Sequence, residues 1–178
     1  MADLTVSDIA RHIQRPGESL TAAVDRLRNW TDMGIIKAKG PKRPGTGHKR
    51  RYSTDALISA GILQTLVDAT GSPAIAFTEN MGGMVEGLLG LVKREDARTF
   101  LLLISRPPSG EPRFDFLPPE ELAAQISKSP VDAHTVIRLR RVYERLMSEQ
   151  KIFEAGYVQS KEMEKPKRRR VRSPGRAA

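Results

Sequence analysis

The chain has 178 residues, a formal charge of +9, 39% apolar residues and no cysteine. That length and apolar content suffice for one or two modest domains with a buried core, while the missing thiols exclude disulfides, thiolate metal sites and a cysteine nucleophile. The first residues, Met-Ala-Asp-Leu-Thr-Val, lack the pattern of a signal peptide, and the longest apolar stretch, Met81 to Val92, is broken by Glu86 and several glycines, so the expectation is a cytoplasmic chain with no membrane partner.

Charge is unevenly placed. Residues 1–70 carry 11 Lys/Arg against 7 Asp/Glu, residues 71–158 carry 11 against 12, and residues 159–178 carry 8 against 2. A neutral middle between two basic ends suggests two segments that meet a polyanion, with nucleic acid first and an anionic membrane surface second.

Val6, Ile9, Ala10 and Ile13 recur at helical spacing, with Thr5 or Ser7 as N-cap, and predict a short first helix. Gln14-Arg-Pro-Gly17 breaks it. A second helix is expected from about Ser19, with Leu20, Ala23, Val24, Leu27 and Trp30 on its apolar side. Gly34 ends it in the left-handed conformation, and Ile35-Ile36 begins an extended segment packed beneath. Lys37 to Arg51 holds seven Lys/Arg and no acid, interleaved with glycine and proline, and reads as a basic hairpin or loop. A third helix follows from about Ser53 to Thr70, with Ala56, Leu57, Ala60, Ile62, Leu63, Leu66 and Val67 facing inward, and Gly71-Ser-Pro73 breaks it.

The second half predicts a glycine-spotted helix over Met81 to Val92. A buried strand is expected at Thr99 to Ser105, and a partner strand at Arg113 to Leu117 beyond a Pro-Pro-Ser-Gly turn. Pro118-Pro-Glu-Glu starts a further helix, since proline and acids both suit a first helical turn. Thr135 to Leu139 then reads as a third strand leading into a helix through Val142, Tyr143 and Leu146, or as part of one helix from Ala133. Beyond about Val158 the apolar period is lost, and Lys165 to Arg176 is a like-charge block expected to stay disordered.

The expected fold class is therefore mainly α with a small α+β C-terminal part. Residues 1–72 form a DNA-binding domain, 73–158 an α+β domain for oligomerisation, partner or ligand binding, and 159–178 a basic tail. A helix after a tight turn can place its first residues and polar face in the major groove, while a basic hairpin holds neighbouring phosphates. Candidate DNA contacts are Ser19, Thr21, Ala22, Asp25 and Arg26 toward the groove, and Arg28, Asn29, Lys49, Arg50, Arg51 and Tyr52 toward the phosphates. Trp30 is expected in the core with Ile9 and Leu57.

Thr5-Val-Ser-Asp-Ile-Ala10, Leu27-Arg-Asn-Trp-Thr-Asp-Met-Gly-Ile-Ile36 and Arg50-Arg-Tyr-Ser-Thr-Asp-Ala-Leu57 together resemble MerR-type winged helix-turn-helix regulators over residues 4–70. They match, in order, the first helix, the end of the recognition helix and the wing-to-helix junction. The resemblance implies a bacterial-type, nucleoid-associated transcription regulator bound to double-stranded DNA, with a recognition helix at about 19–33 and a wing at 37–52. The interval before Leu27 is longer than that family usually shows, so no base contact carries over. Gly71 also stops the chain short of the family's long dimerisation helix, leaving residues 73–158 as a candidate homodimer interface.

Other chemistries find little support. Pro44-Gly-Thr-Gly-His-Lys49 lacks the lysine followed by Ser/Thr of a phosphate loop, and His12, His48 and His134 have no metal-ligand spacing. Glu120 and Glu121 suit a helix start without any catalytic task. The expectation is no enzyme, no cofactor and no metal. Two alternatives remain: an excisionase-like architectural DNA binder, and a protein-interaction module whose basic tail binds nucleic acid.

Overall fold

The computed structural model describes residues 3–40, 50–71, 80–94, 101–105, 112–128, 134–148 and 151. Within them the chain is mainly helical with small antiparallel sheets. The expected tip of the basic hairpin or loop at 41–49, the interval 72–79 holding the expected domain boundary, and residues 152–178 with the basic tail lie outside the described residues.

Strand β1 (Leu4–Thr5) runs directly into helix α1 (Val6–Ile13). Thr5 is the N-cap, and the exchange is reciprocal: its hydroxyl accepts from Asp8 N at 3.3 Å, while Asp8 accepts from Thr5 N at 2.8 Å. Helix α2 (Leu20–Asp32) begins in the same way, with Ser19 Oγ accepting from Ala22 N at 3.2 Å. Its end differs from the expected extended segment. Gly34 does adopt a left-handed φ of 80°, but Ile35 N and Ile36 N both donate to Trp30 O, at 3.0 and 3.2 Å. The two isoleucines thus form a buried bend folded back under α2, and pairing resumes only at Lys39, whose N donates to Arg51 O at 2.7 Å.

Strand β2 (Arg51–Tyr52) pairs antiparallel with β1, Leu4 opposite Tyr52 and Thr5 opposite Arg51. Helix α3 (Thr54–Thr70) follows, capped by Ser53 and ended by Gly71 at φ 65°. The expected apolar stripe is buried, but so are Ile58, Ser59, Gly61, Gln64 and Thr70. A helix covered on nearly every side must have neighbours on nearly every side, and α3 has them. It packs against α1 and against α4 (Met81–Lys93). A third neighbour is the helix over residues 139–148, here α6, whose Leu146 lies on Gly61.

Strand β3 (Leu101–Ser105) is the middle of a three-stranded sheet of order β4-β3-β5, between β4 (Arg113–Leu117) and β5 (His134–Arg138). Both pairings are antiparallel, with Leu103 opposite Asp115 and Val136. All five β3 residues are buried, which accounts for an apolar run without alternation. Between β4 and β5 come a 3-10 turn (Pro119–Glu121) and helix α5 (Leu122–Lys128). The choice left open around Ala133 to Leu146 resolves as strand then helix, β5 then α6. One buried cluster runs from Leu4, Leu27 and Trp30 through α3 to Leu88, Leu102 and Leu146, so both halves of the chain share α3 as a common wall. Among the described residues no helix is long and apolar enough to cross a membrane.

Candidate nucleic-acid interface

Helix α2 has two unlike sides. Ala23, Val24, Leu27, Trp30 and Thr31 are buried, while Thr21, Ala22, Asp25, Arg28, Asn29 and Asp32 are exposed, as is the cap Ser19. Positions 21, 25, 28 and 32 follow one another at helical steps and make a continuous polar strip. Arg28 donates to Asp25 at 3.1 Å, and both side chains are more than half exposed.

The strand carrying the second set of candidates is fastened to the C-terminal end of this strip. Arg50 donates to Asp32 at 2.9 Å, and its side chain is 20% exposed. That hydrogen bond to Asp32 is the main reason the Arg50 guanidinium is held above its ordinary pKa. Arg51 is exposed and Tyr52 is fully buried, as the two-residue alternation of a strand requires. The Tyr52 hydroxyl lies 3.2 Å from Thr31 Oγ1, which itself bonds to Leu27 O at 2.8 Å. The expectation that Tyr52 clamps phosphate is therefore corrected: its ring and hydroxyl hold β2 against α2, and no part of it reaches solvent.

Arg26 is corrected for a related reason. Its guanidinium forms an ion pair with Glu18, donates to Ile13 O at 2.9 Å and sits 5.6 Å above the Trp30 ring. Glu18 also accepts from Arg15 N at 2.9 Å. Held by these contacts, Arg26 ties the end of α1 to α2 and does not project toward a groove. The Arg26 hydrogen bond keeps the Glu18 carboxyl below its ordinary pKa, with Arg15 contributing. Trp30 is buried in the cluster that also holds Ile9 and Leu57, as expected.

Of the eleven DNA-contact candidates from the second helix and hairpin, Ser19, Thr21, Ala22, Asp25, Arg28 and Asn29 lie on the exposed side of α2, Arg50 is joined to that side through Asp32, and Arg51 is exposed on β2; Arg26 and Tyr52 turn inward, and Lys49 lies outside the described residues. Sequence reasoning missed Asp32 and Thr31. Asp32 holds Arg50 and Thr31 receives Tyr52, and both contacts join residues about twenty apart, beyond any short-range spacing rule. Among the described residues no group of three or more His, Cys, Asp or Glu could hold a metal ion. Compared with known proteins, the chain matches no family model and no curated protein.

Proposed function

We propose that the chain is a sequence-specific, MerR-like winged helix-turn-helix regulator that binds double-stranded DNA. In this reading α2 lies in the major groove, with Ser19 and Thr21 toward the bases and Arg28 and Asn29 toward the backbone. Arg50 and Arg51 hold phosphates beside it, extended by Lys49 and the rest of the basic hairpin.

The observation that carries this reading is the fastening of the arginine strand to the last turn of α2 through the buried contact of Tyr52 with Thr31, which sets Arg50 beside the exposed strip at Asp32. A helix face and a basic strand held in fixed relation are what phosphate positioning beside a groove requires. The ion pairs that occupy Arg28 and Arg50 in the free protein do not oppose it. Exposed pairs are worth about 0.2–1 kcal/mol, so phosphate displaces the carboxylates at small cost.

The test is duplex binding measured by fluorescence anisotropy against salt. Binding should weaken steeply as salt rises. Replacing Arg28, Arg50 and Arg51 together by alanine should cut affinity at every sequence and reduce the log–log salt slope by about 3. Unchanged affinity in that variant would sink the proposal. Selection of bound genomic fragments then separates a regulator, which prefers one site, from an architectural binder, which does not.

A further inference from the structure

A cavity of about 210 Å³ opens where the foot of the basic hairpin, the first turns of α3 and one side of α4 meet. Its floor is apolar, made by Ile35, Ala56, Val85 and Leu89. Ser59 also lines it and is 8% exposed.

The rim carries both signs of charge, Lys37 beside Asp55 and Glu86, with Lys93 standing just outside the lining. Lys37 Nζ lies 2.9 Å from both carboxylate oxygens of Glu86, and Lys93 Nζ lies 2.8 Å from Asp55. All four side chains are about half exposed or more, and such pairs exchange partners at small cost. An apolar floor beneath paired cations and carboxylates complements a molecule with an apolar body and both charges at one end. The volume is below the roughly 300–1,000 Å³ of drug-sized sites, so the guest is small.

We propose that this cavity binds a small zwitterion with an apolar side chain, a hydrophobic α-amino acid in chemical class, and that its occupancy sets the affinity of the protein for DNA. The second clause rests on the DNA-binding reading; the first does not. Coupling follows from position. Lys37 and Ser53 stand at the two ends of the basic hairpin and both line the cavity, so a guest held there touches both feet of the hairpin and α4 together. Binding of guest and duplex then alter one another reciprocally.

Calorimetry on the full chain without DNA tests the site. The probes are L-leucine and L-phenylalanine, with 3-methylbutylamine and 4-methylpentanoate as the leucine skeleton bearing one charge each. At least one amino acid should bind saturably, and both single-charge probes at least about tenfold more weakly, since each leaves half the rim unanswered. Ser59→Ala should weaken binding several-fold. Gly82→Leu should abolish it by filling the cavity, with circular dichroism and the denaturation midpoint reading whether the fold is kept; a Cβ there meets only ordinary contacts, the nearest being Ile35 Cα at 3.8 Å. No binding of either amino acid, equal binding of a single-charge probe, or undiminished binding in Gly82→Leu would each overturn the site. A saturating amino acid should then shift duplex Kd by about fivefold or more. Amino-acid binding with an unchanged Kd overturns the coupling alone, and amino-acid binding by a chain that holds no duplex overturns the DNA reading while the site stands.

Discussion

The Tyr52 hydroxyl lies 3.2 Å from the hydroxyl of Thr31 in the last turn of α2, and neither side chain is exposed. Thr31 spends its own proton on Leu27 O at 2.8 Å, so the tyrosine is the donor and the threonine oxygen the acceptor. Tyr52→Phe removes that donor and keeps the ring, and should cost about 1 kcal/mol in urea denaturation. Tyr52→Ala also empties a fully buried ring position and should cost about 3–5 kcal/mol. Paired with Thr31→Val, the phenylalanine change should cost less than it does alone, because no acceptor is left unfilled. Strict additivity would show that the hydroxyl contact contributes nothing to the fold.

Asp32 restrains the cation that the DNA reading needs. Asp32→Asn removes a negative charge from the exposed strip of α2 and releases Arg50 from its 2.9 Å ion pair. Folding stability should change by less than about 1 kcal/mol, because the carboxylate is more than half exposed. Duplex affinity at low salt should rise several-fold, and the salt slope should steepen by about 1, as one further phosphate contact requires. In an Arg50→Ala background the gain should shrink sharply. A gain of the same size there would show that Arg50 is not the residue released.

Local signals in the sequence carried most of the elements. Thr5, Ser19 and Ser53 each stand before an apolar period and each caps the helix that follows; Gly34 and Gly71 end helices at positive φ. These are contacts within a turn or two, where residue type and spacing decide the outcome. What could not be read off was long in range. The burial of α3 on nearly every side depends on α4 and α6, which arrive later in the chain. The inward turn of Arg26 depends on Glu18 and Ile13 O across the break between helices. Tyr52 is a polar-tipped ring beside two arginines, and the strand register alone decides that it faces Thr31 and not solvent. The strand from His134 to Arg138 needed its pairing with β3 to distinguish it from helix.

The Glu18 and Arg26 pair should give stability a definite dependence on acid. Arg26 holds the folded Glu18 carboxyl below its ordinary value of 4.5, so this contribution is fully present above pH 4.5 and is lost as pH falls through the lower folded value. Arg26→Ala should therefore destabilise at neutral pH, by about 1–3 kcal/mol given the partly buried partners, and should flatten the loss of stability below pH 4.5. Glu18→Gln should flatten the same window. Denaturation midpoints measured from pH 3 to pH 7 check both, and parallel acid profiles for the variants and the parent would refute the assignment.

Gly61 and Leu146 mark where the two halves of the chain touch. A Cβ added at Gly61 would stand 2.4 Å from Leu146 Cδ1 and 2.7 Å from Cδ2, and Leu146 is fully buried, so its side chain has little room to withdraw. Alanine gains up to about 1 kcal/mol over glycine inside a helix, yet overpacking of a filled core costs about 1–3 kcal/mol. Gly61→Ala should thus be neutral to destabilising by about 2 kcal/mol, against the usual sign for this change in a helix. Leu146→Ala alone should cost about 2–5 kcal/mol by leaving a cavity. In the double variant the new methyl enters that space, and the combined cost should fall clearly below the sum of the two. Such coupling between residues 61 and 146, read from denaturant midpoints, requires α3 and α6 to share one packed interface; additive effects would mean that the helix at 139–148 does not rest on α3 in solution.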